Sequence, residues 1–311
     1  ISRRDIQRIA HANSHQKLPV GHVRIQNQPG LYQLDDQRQI ENPLGMCGRQ
    51  LSLQFSQLSV SQTSYASFAQ AVQQCHLELG SIHHSAVMAG HACLTEDDRE
   101  LGTLLIDFGG GPTSLAIFSE GQVRFAGTIR MGGLNVTRDI AKMLSITVSE
   151  AERLKAIEGS VLPTITSAEH LKSLPFPSQG DNFVLSNIVS AGDHLTLPGG
   201  KVIQRQFLSD IIRTRYEEIL EAVDQLLHTN GLGAARTYNL ALTGGASQLT
   251  GMSDFVSEFW NKAVALRPPA PLSGPDGQIS GGSFSACMGL ARYIQSAEDE
   301  IRQTPLSSTS S

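Results

Sequence analysis

The sequence predicts a mixed α/β fold. Residues 102–118 contain two β-rich runs joined by three glycines, which predicts a hairpin with a glycine turn. Residues 238–260 have the pattern of an apolar strand, a Gly-Gly turn and a helix. Apolar residues recur every three or four positions over 207–227, which predicts a long amphipathic helix. The 311 residues could form two ordinary domains or one larger mixed domain.

Residues 1–80 predict a small α+β unit. The predicted order is helix, three extended runs and a second helix, over 2–12, 22–26, 31–34, 50–61 and 65–80. The run 50–61 alternates apolar with polar residues, as a half-buried strand does. Gly80 is a suitable end for the second helix, because glycine readily adopts the conformation that terminates helices.

Between 81 and 159 the pattern changes several times. Residues 82–90 predict a short apolar strand. Thr95 stands three residues before Asp98, which predicts a helix N-cap with an acidic first turn. Behind the glycine hairpin, the sequence predicts a further hairpin arm and then two helices, over 121–131, 134–145 and 148–159.

The rest of the chain is less regular. Residues 160–200 are rich in Pro, Gly and Ser, with short strand candidates at 183–191 and 194–197. After the strand–turn–helix at 238–260, the sequence predicts a proline-rich loop over 267–275 and a final helix over 284–295.

Composition excludes several classes of protein. The net charge is −5, with Lys and Arg spread along the chain, so no nucleic-acid partner is expected. The four cysteines form no CxxC pair, which suits a reducing, cytoplasmic compartment. No apolar run approaches the roughly 18 residues of a membrane span. The chain begins with Ile1, so its natural start is expected to be missing.

The glycine hairpin could hold phosphate. Gly109, Gly110 and Gly111 let the backbone approach a ligand, and successive inward N–H groups form an anion-binding concavity. Asp107, at the end of the entering strand, could face a hydrated divalent cation beside such phosphates. An ordinary hairpin turn explains the same residues equally well.

Two further features could meet a nucleoside. Gly244, Gly245 and Ala246 join a strand to a helix, where a base or ribose can lie against the backbone. Any strand-to-helix turn can use Gly-Gly, however. Glu152 and Lys155 lie three apart on one helix face and can reach a ribose or base edge together. For this pair alone, a solvated surface ion pair is the favoured alternative.

The combination and order of these motifs resemble the FtsA family of the actin-like ATPase superfamily. The motifs DxGGG, GGxxxTxD, AExxK and LTGGA follow one another at 107–111, 132–139, 151–155 and 242–246. Three flanking segments also resemble family segments, at 41–51, 94–111 and 205–220. Only the stretch 160–197 lacks recognisable landmarks. Chance similarity is improbable for so many ordered matches.

The resemblance implies an actin-like (ribonuclease H-like) ATPase fold with a small inserted subdomain of the SHS2 type, N-terminally incomplete. It assigns 1–80 to subdomain 1C and 81–102 with 281–297 to a remnant of subdomain 1A. Subdomain 2A would comprise 103–145 and 232–280, and subdomain 2B would comprise 146–231. The segment 298–311 is expected to be a disordered tail.

The resemblance also implies a site for ATP and Mg²⁺ between the two halves. Residues 109, 110, 111 and 113 would contact phosphates, and residues 152 and 155 would contact ribose and adenine. The nucleoside would lie on residues 244–246. These groups are Gly109, Gly110, Gly111 and Thr113, then Glu152 and Lys155, then Gly244, Gly245 and Ala246, with Asp107 near Mg²⁺. No catalytic residue is assigned.

The chain departs from the family pattern in ways that weaken this site. Pro112 replaces the usual Thr and lacks an N–H for phosphate, a loss worth roughly 1 kcal/mol. Ser114 stands where Asp is frequent. The first phosphate loop of the DxGTxK type is not found, so weak binding of ATP or none is expected. The tail 304–311 lacks a basic amphipathic helix, so this chain is not expected to bind membranes by itself.

By resemblance, the expected function is that of a division scaffold which links FtsZ filaments to the divisome at the cytoplasmic face of the inner membrane. The implied partners are FtsZ, further copies of the chain and other divisome proteins. Any ATPase activity is expected to be weak. The alternatives are an actin-like scaffold for pilus assembly and a catalytic ATPase or sugar kinase of the same superfamily. A kinase would need an acidic base beside the substrate hydroxyl and a complete first loop.

Overall fold

Helices and strands follow one another in short groups along the chain in the computed structural model, which describes residues 1–14, 17–162, 194–197, 200, 202–274 and 277–303. In chain order, strands β1 to β12 span His22–Leu34, Gln37–Ile40, Leu51–Ser61, Thr103–Phe108, Thr113–Ser119, Gln122–Ile129, His194–Thr196, Val202–Gln204, Asn239–Thr243, Val264–Leu266, Leu272–Gly274 and Gly277–Ile279. Helices α1 to α9 span Arg3–Ser14, Gln62–Gln74, Ser85–Cys93, Glu96–Leu101, Gly133–Leu144, Val148–Glu158, Arg205–Thr229, Met252–Trp260 and Ser285–Gln303. The predicted α/β fold class is confirmed.

The N-terminal unit is a three-stranded antiparallel sheet in the order β2-β1-β3, with α1 and α2 beside it. The runs 22–26 and 31–34 form one strand rather than two, because β1 continues through irregularities in its register with β3. Helix α2 does not reach Gly80, so that predicted end is wrong. His76 has a φ of +57°, a left-handed conformation that prevents the helix from continuing.

A five-stranded sheet in the order β10-β9-β4-β5-β6 carries the predicted glycine hairpin and its further arm. Strands β4, β5 and β6 are antiparallel neighbours, whereas β9 runs parallel to β4. Side chains alternate between the two faces of this sheet. Those of β4 therefore enter two different cores: Leu104 and Ile106 join the core that includes α5 and α7, and Leu105 joins the core that includes α3.

Residues 85–93 form a helix, so the apolar strand predicted over 82–90 is wrong. Helix α3 is buried on nearly every side between the sheet and α9, which removes the amphipathic period by which helices are recognised. Two glycines permit the close packing. A Cβ added to Gly90 would lie 2.2 Å from Phe118 Cζ, and one added to Gly289 would lie 1.7 Å from the Met88 carbonyl oxygen.

Most other predicted elements are confirmed. Thr95 caps α4: its hydroxyl accepts from the Asp98 N–H at 3.1 Å, and the Asp98 carboxylate accepts from the Thr95 N–H at 3.1 Å. The predicted helices of the central part appear as α5, α6, α7 and α8, and the candidate strand 194–197 appears as β7. The end of the predicted loop 267–275 instead forms strand β11, which pairs with β12.

Helix α9 extends beyond its predicted end and covers 298–303, where a disordered tail was expected. No Gly or Pro interrupts the sequence over 296–303, so the helix can continue. The strand candidate 183–191 and the tail 304–311 lie outside the described residues. Within the described part of the chain, no helix combines the length and apolar character needed to span a membrane.

Candidate functional site

The turn of the β4–β5 hairpin is held by its own backbone. The Gly109 N–H donates to the carbonyl oxygens of Asp107 and Pro112, each at 3.1 Å. A Cβ on Gly109 would lie 2.6 Å from the Pro112 oxygen, so the turn requires glycine there. The backbone pairs of the described residues include no acceptor for the N–H groups of Gly110 and Gly111. Those two donors are therefore available for an anion.

Helix α5 begins directly against this turn. The Gly133 N–H donates to the Gly109 carbonyl at 3.0 Å, and the Leu134 N–H donates to the Gly110 carbonyl at 2.7 Å. The hairpin thus satisfies donors of the first helical turn that have no partner within the helix. A Cβ on Gly132 would lie 2.6 to 3.0 Å from three carbonyl oxygens of the turn, so the close approach depends on glycine.

The predicted pair of Glu152 and Lys155 is formed, but it is not a solvated surface pair. The Lys155 side chain is only 13% exposed, whereas that of Glu152 is 49% exposed. Lys155 Nζ donates to Glu152 Oε2 at 2.8 Å, to Thr137 Oγ1 at 2.8 Å and to the Gly133 carbonyl at 3.1 Å. Burial raises the pKa of Glu152, but hydrogen bonds from Lys155 and Thr137 outweigh it and lower the pKa overall.

The second glycine motif approaches the hairpin from β9. Gly244 has a φ of +94°, which favours glycine, and a Cβ there would lie 2.4 Å from the Phe108 carbonyl oxygen and 2.5 Å from Asp107 Oδ1. Both the conformation and the space therefore require glycine. Helix α7 contacts the turn that follows Gly244, because the Tyr216 hydroxyl donates to the Ala246 carbonyl at 3.4 Å.

Asp107 lies at the end of β4, and burial raises its pKa to about 6. Nearby, Thr243 Oγ1 lies 3.4 Å from Cys93 Sγ and 2.6 Å from Ser285 Oγ. The described residues contain no group of three or more His, Cys, Asp or Glu side chains that could hold a metal ion. A single carboxylate is compatible with Mg²⁺ when substrate phosphates supply other ligands. The metal therefore stays a prediction.

The two departures from the family pattern have clear places in the fold. Pro112 cannot donate a hydrogen bond, yet its carbonyl closes the turn by accepting from Gly109. Ser114 is buried, and its Oγ lies 3.2 Å from Thr128 Oγ1. Thr113 is also fully buried, and its hydroxyl has no hydrogen-bond partner among the residues that the structure describes.

These elements surround a cleft of about 440 Å³. Five predicted residues line it: Gly110, Glu152, Lys155, Gly245 and Ala246. The other predicted residues do not line it: Asp107, Gly109, Gly111, Thr113 and Gly244. Sequence reasoning missed the remaining lining residues: Gly133, Leu134, Ala156, Tyr216, Gln248, Leu249 and Ser283. Two other clefts, of about 490 and 390 Å³, lie beside the N-terminal unit and contain none of the predicted residues.

Only some of the missed residues carried a signal in the sequence. Gly133 belongs to the glycine pair at the start of the GGxxxTxD motif, and Thr137 is the Thr of that motif. The sequence predicts Tyr216 on the apolar face of the long helix, and Tyr216 is buried there. The contact of its hydroxyl with the turn after β9 carried no signal in the sequence.

Comparison with known proteins decides the family. The model for "Cell division protein FtsA" matches residues 104–289, which is more than half of the chain. The chain belongs to the FtsA family. A second model, for the SHS2 domain inserted in FtsA, matches residues 1–58. The resemblance inferred from the motifs is thereby confirmed, including the SHS2-type unit.

FtsA relatives match along nearly the whole chain. FtsA of Rhizobium meliloti is 30% identical over 300 residues, which cover 96% of this chain and 64% of that protein. FtsA of Pseudomonas aeruginosa is 27% identical over 289 residues, which cover 93% of this chain and 65% of that protein. The chain therefore spans slightly less than two thirds of the length of each of these two relatives.

Solved structures confirm the actin-like fold. MreB5 of Spiroplasma citri bound to ADP aligns with a TM-score of 0.56 and 19% identity, covering 78% of this chain and 68% of that one. The PilM-PilN type IV pilus biogenesis complex aligns with a TM-score of 0.53 and 15% identity, covering 93% of this chain and 71% of that one. At these identities the likeness shows the fold alone.

Proposed function

We propose that this chain is part of a cell-division scaffold of the FtsA type and holds ATP in the cleft between the β4–β5 hairpin, α6 and the turn after β9. The observation that carries the proposal is the convergence of three motifs on that cleft. Gly110, the pair of Glu152 and Lys155, and Gly245 with Ala246 all line it, although they are far apart in the sequence. Membership of the FtsA family supports the same role.

The residues present fit a nucleotide. Gly110, which lines the cleft, offers its backbone N–H group to phosphate oxygens, as does Gly111 beside it in the turn, and Glu152 offers a carboxylate to hydroxyl donors of a ribose. With its pKa near 6, Asp107 is mostly ionised at neutral pH, as a ligand of Mg²⁺ would have to be. A bound Mg²⁺ would neutralise charge on the phosphates. A structure of the related fold, MreB5, contains ADP, which is consistent with this use of the cleft.

We further propose binding and scaffolding rather than efficient catalysis. The proposed scaffold links FtsZ filaments, through subdomain 2B, to other divisome proteins and further copies of itself at the cytoplasmic face of the inner membrane. In this scheme subdomain 1C is the unit at 1–80, which contains the region matched by the SHS2 model. The FtsA matches do not favour the pilus-assembly or sugar-kinase alternatives.

Calorimetric titration of MgATP tests the nucleotide part of this proposal. We expect weak but measurable binding by the unmodified chain and roughly tenfold weaker binding by Lys155→Ala, because the variant loses three hydrogen bonds that hold Glu152 and the start of α5. Lys142→Ala is the matched control, since Lys142 is exposed on α5 away from the cleft lining. Absence of binding by the unmodified chain, or equal affinities for the two variants, would contradict the assignment.

The scaffolding part needs its own measurement. We expect the chain to co-sediment with preassembled FtsZ filaments, in an amount that rises with the concentration of the chain. The Lys155→Ala variant should co-sediment equally in the absence of nucleotide, because the cleft is not the proposed filament contact. Failure of the folded chain to co-sediment at any concentration would remove FtsZ from the proposed partners without affecting the nucleotide site.

A further inference from the structure

A buried threonine lies behind the cleft where its two ionisable residues meet. Thr137, on α5, is fully buried. Its Oγ1 accepts from Lys155 Nζ at 2.8 Å and forms a short hydrogen bond with Glu152 Oε2. It also lies 3.0 Å from the Gly133 carbonyl in the first turn of the same helix. One hydroxyl therefore joins both members of the α6 pair to α5.

Counting protons shows what this arrangement leaves for a ligand. An ammonium group has three protons, and Lys155 directs hydrogen bonds to three protein acceptors: Glu152, Thr137 and the Gly133 carbonyl. It has no further proton to offer. Glu152 Oε2 accepts from Lys155 and Thr137, whereas its Oε1 has no hydrogen bond among the described residues. Glu152 is thus the member of the pair that can accept from a ligand.

We infer that Thr137 is a positioning residue, whose hydroxyl together with Lys155 holds Glu152 in a fixed orientation at the cleft so that Glu152 accepts a hydrogen bond from a ligand hydroxyl. Its link with nucleotide recognition rests on the proposed function of the cleft. The Thr137 hydroxyl has a single proton. When it donates that proton to Glu152, the carboxylate oxygen Oε2 accepts two hydrogen bonds, one from Thr137 and one from Lys155. Lys155 then links Glu152 to the Gly133 carbonyl, because it donates to both, and hence to the hairpin that α5 contacts.

Substitution at Thr137 separates the hydroxyl from the shape of the side chain. Thr137→Val keeps the branched shape but leaves a Lys155 proton unpaired and removes a donor to Glu152. Thr137→Ser keeps the hydroxyl and removes only a methyl group. Because hydrogen bonds to its ionised form lower the pKa of Glu152, we expect the pKa to rise in the valine variant and to stay low in the serine variant.

The first measurement is an NMR titration of the Glu152 carboxyl carbon in the full chain without nucleotide. The expected result is a pKa below the ordinary glutamate value in the unmodified chain and in Thr137→Ser, and a higher pKa in Thr137→Val. An ordinary or raised pKa in the unmodified chain would overturn the inference, and this result does not require either variant to fold. Equal pKa values in the unmodified chain and the valine variant would overturn it too.

The second measurement compares the affinities for MgATP and its 2′-deoxy and 3′-deoxy analogues. We expect the unmodified chain and Thr137→Ser to bind MgATP more tightly than at least one analogue. In Thr137→Val this ratio of affinities should fall roughly tenfold, which corresponds to the loss of about one hydrogen bond to a charged group. An unchanged preference in a folded valine variant would overturn the role in recognition. If the pKa results are as expected but the unmodified chain binds no nucleotide, the proposed function fails while the positioning role stands.

Discussion

Replacing Gly132 with alanine tests whether the glycine hairpin and helix α5 act as one unit. The backbone of Gly132 is extended, which alanine adopts freely, so the effect is steric. The added Cβ would lie 2.6 to 3.0 Å from three carbonyl oxygens of the turn, closer than carbon and oxygen can remain. The hairpin must move away from α5. That movement would break the hydrogen bonds from Gly133 and Leu134, at 3.0 and 2.7 Å, for a loss of roughly 1–3 kcal/mol.

Urea unfolding and amide hydrogen exchange measure this effect together. We expect Gly132→Ala to lower the free energy of unfolding by roughly 1–3 kcal/mol and to speed exchange at the Gly133 and Leu134 amides. Gly111→Ala is the matched control, because a Cβ there meets nothing within 4 Å. The reasoning is refuted if the stability of Gly132→Ala equals that of the control, or if the two amides stay protected.

Two further predictions follow from buried groups. Burial raises the pKa of Asp107 from the ordinary aspartate value of 3.8 to about 6 in the folded chain, so its ionisation makes folding less favourable as pH rises from about 4 to 6. Asp107→Asn should therefore gain up to about 3 kcal/mol of stability relative to the unmodified chain between pH 4 and pH 7, and parallel pH profiles would contradict this. Gly289→Ala should force α9 away from α3, because its Cβ would lie 1.7 Å from a backbone oxygen of α3. Thermal unfolding should show a loss of about 3 kcal/mol, whereas exposed Gly80→Ala, with open space at its Cβ, should be neutral.

Local signals in the sequence predicted much of the fold. The hairpin turn, the N-cap at Thr95 and the amphipathic helix α7 each depend on neighbouring residues, so their patterns are visible without any tertiary contact. Helix α3 shows the limit of this approach. Its residues are mostly small or apolar and mostly buried, because it lies between the sheet and α9, and such a run carries no period that separates a helix from a strand.

The candidate site was predicted in pieces rather than as a whole. Sequence reasoning found both glycine motifs and the α6 pair, and the fold brings members of all three to one cleft. It assigned Lys155 a direct contact with the ligand, which is untested, while the structure directs the three protons of Lys155 to protein acceptors. It gave no separate role to Thr137 or Tyr216, because their contacts form only when α5 packs on α6 and α7 packs on the turn after β9.

By itself, the sequence determined the α/β class, the family resemblance and the glycine turns of the two motifs, since these depend on residue type and short spacing. Only the tertiary structure decided how the pieces combine. The approach of Gly244 to Asp107, of α5 to the hairpin, and of Thr137 to the α6 pair all depend on how the sheet stacks its helices. Contacts between residues far apart in the chain are selected by packing the whole core, and packing leaves no local pattern in the sequence.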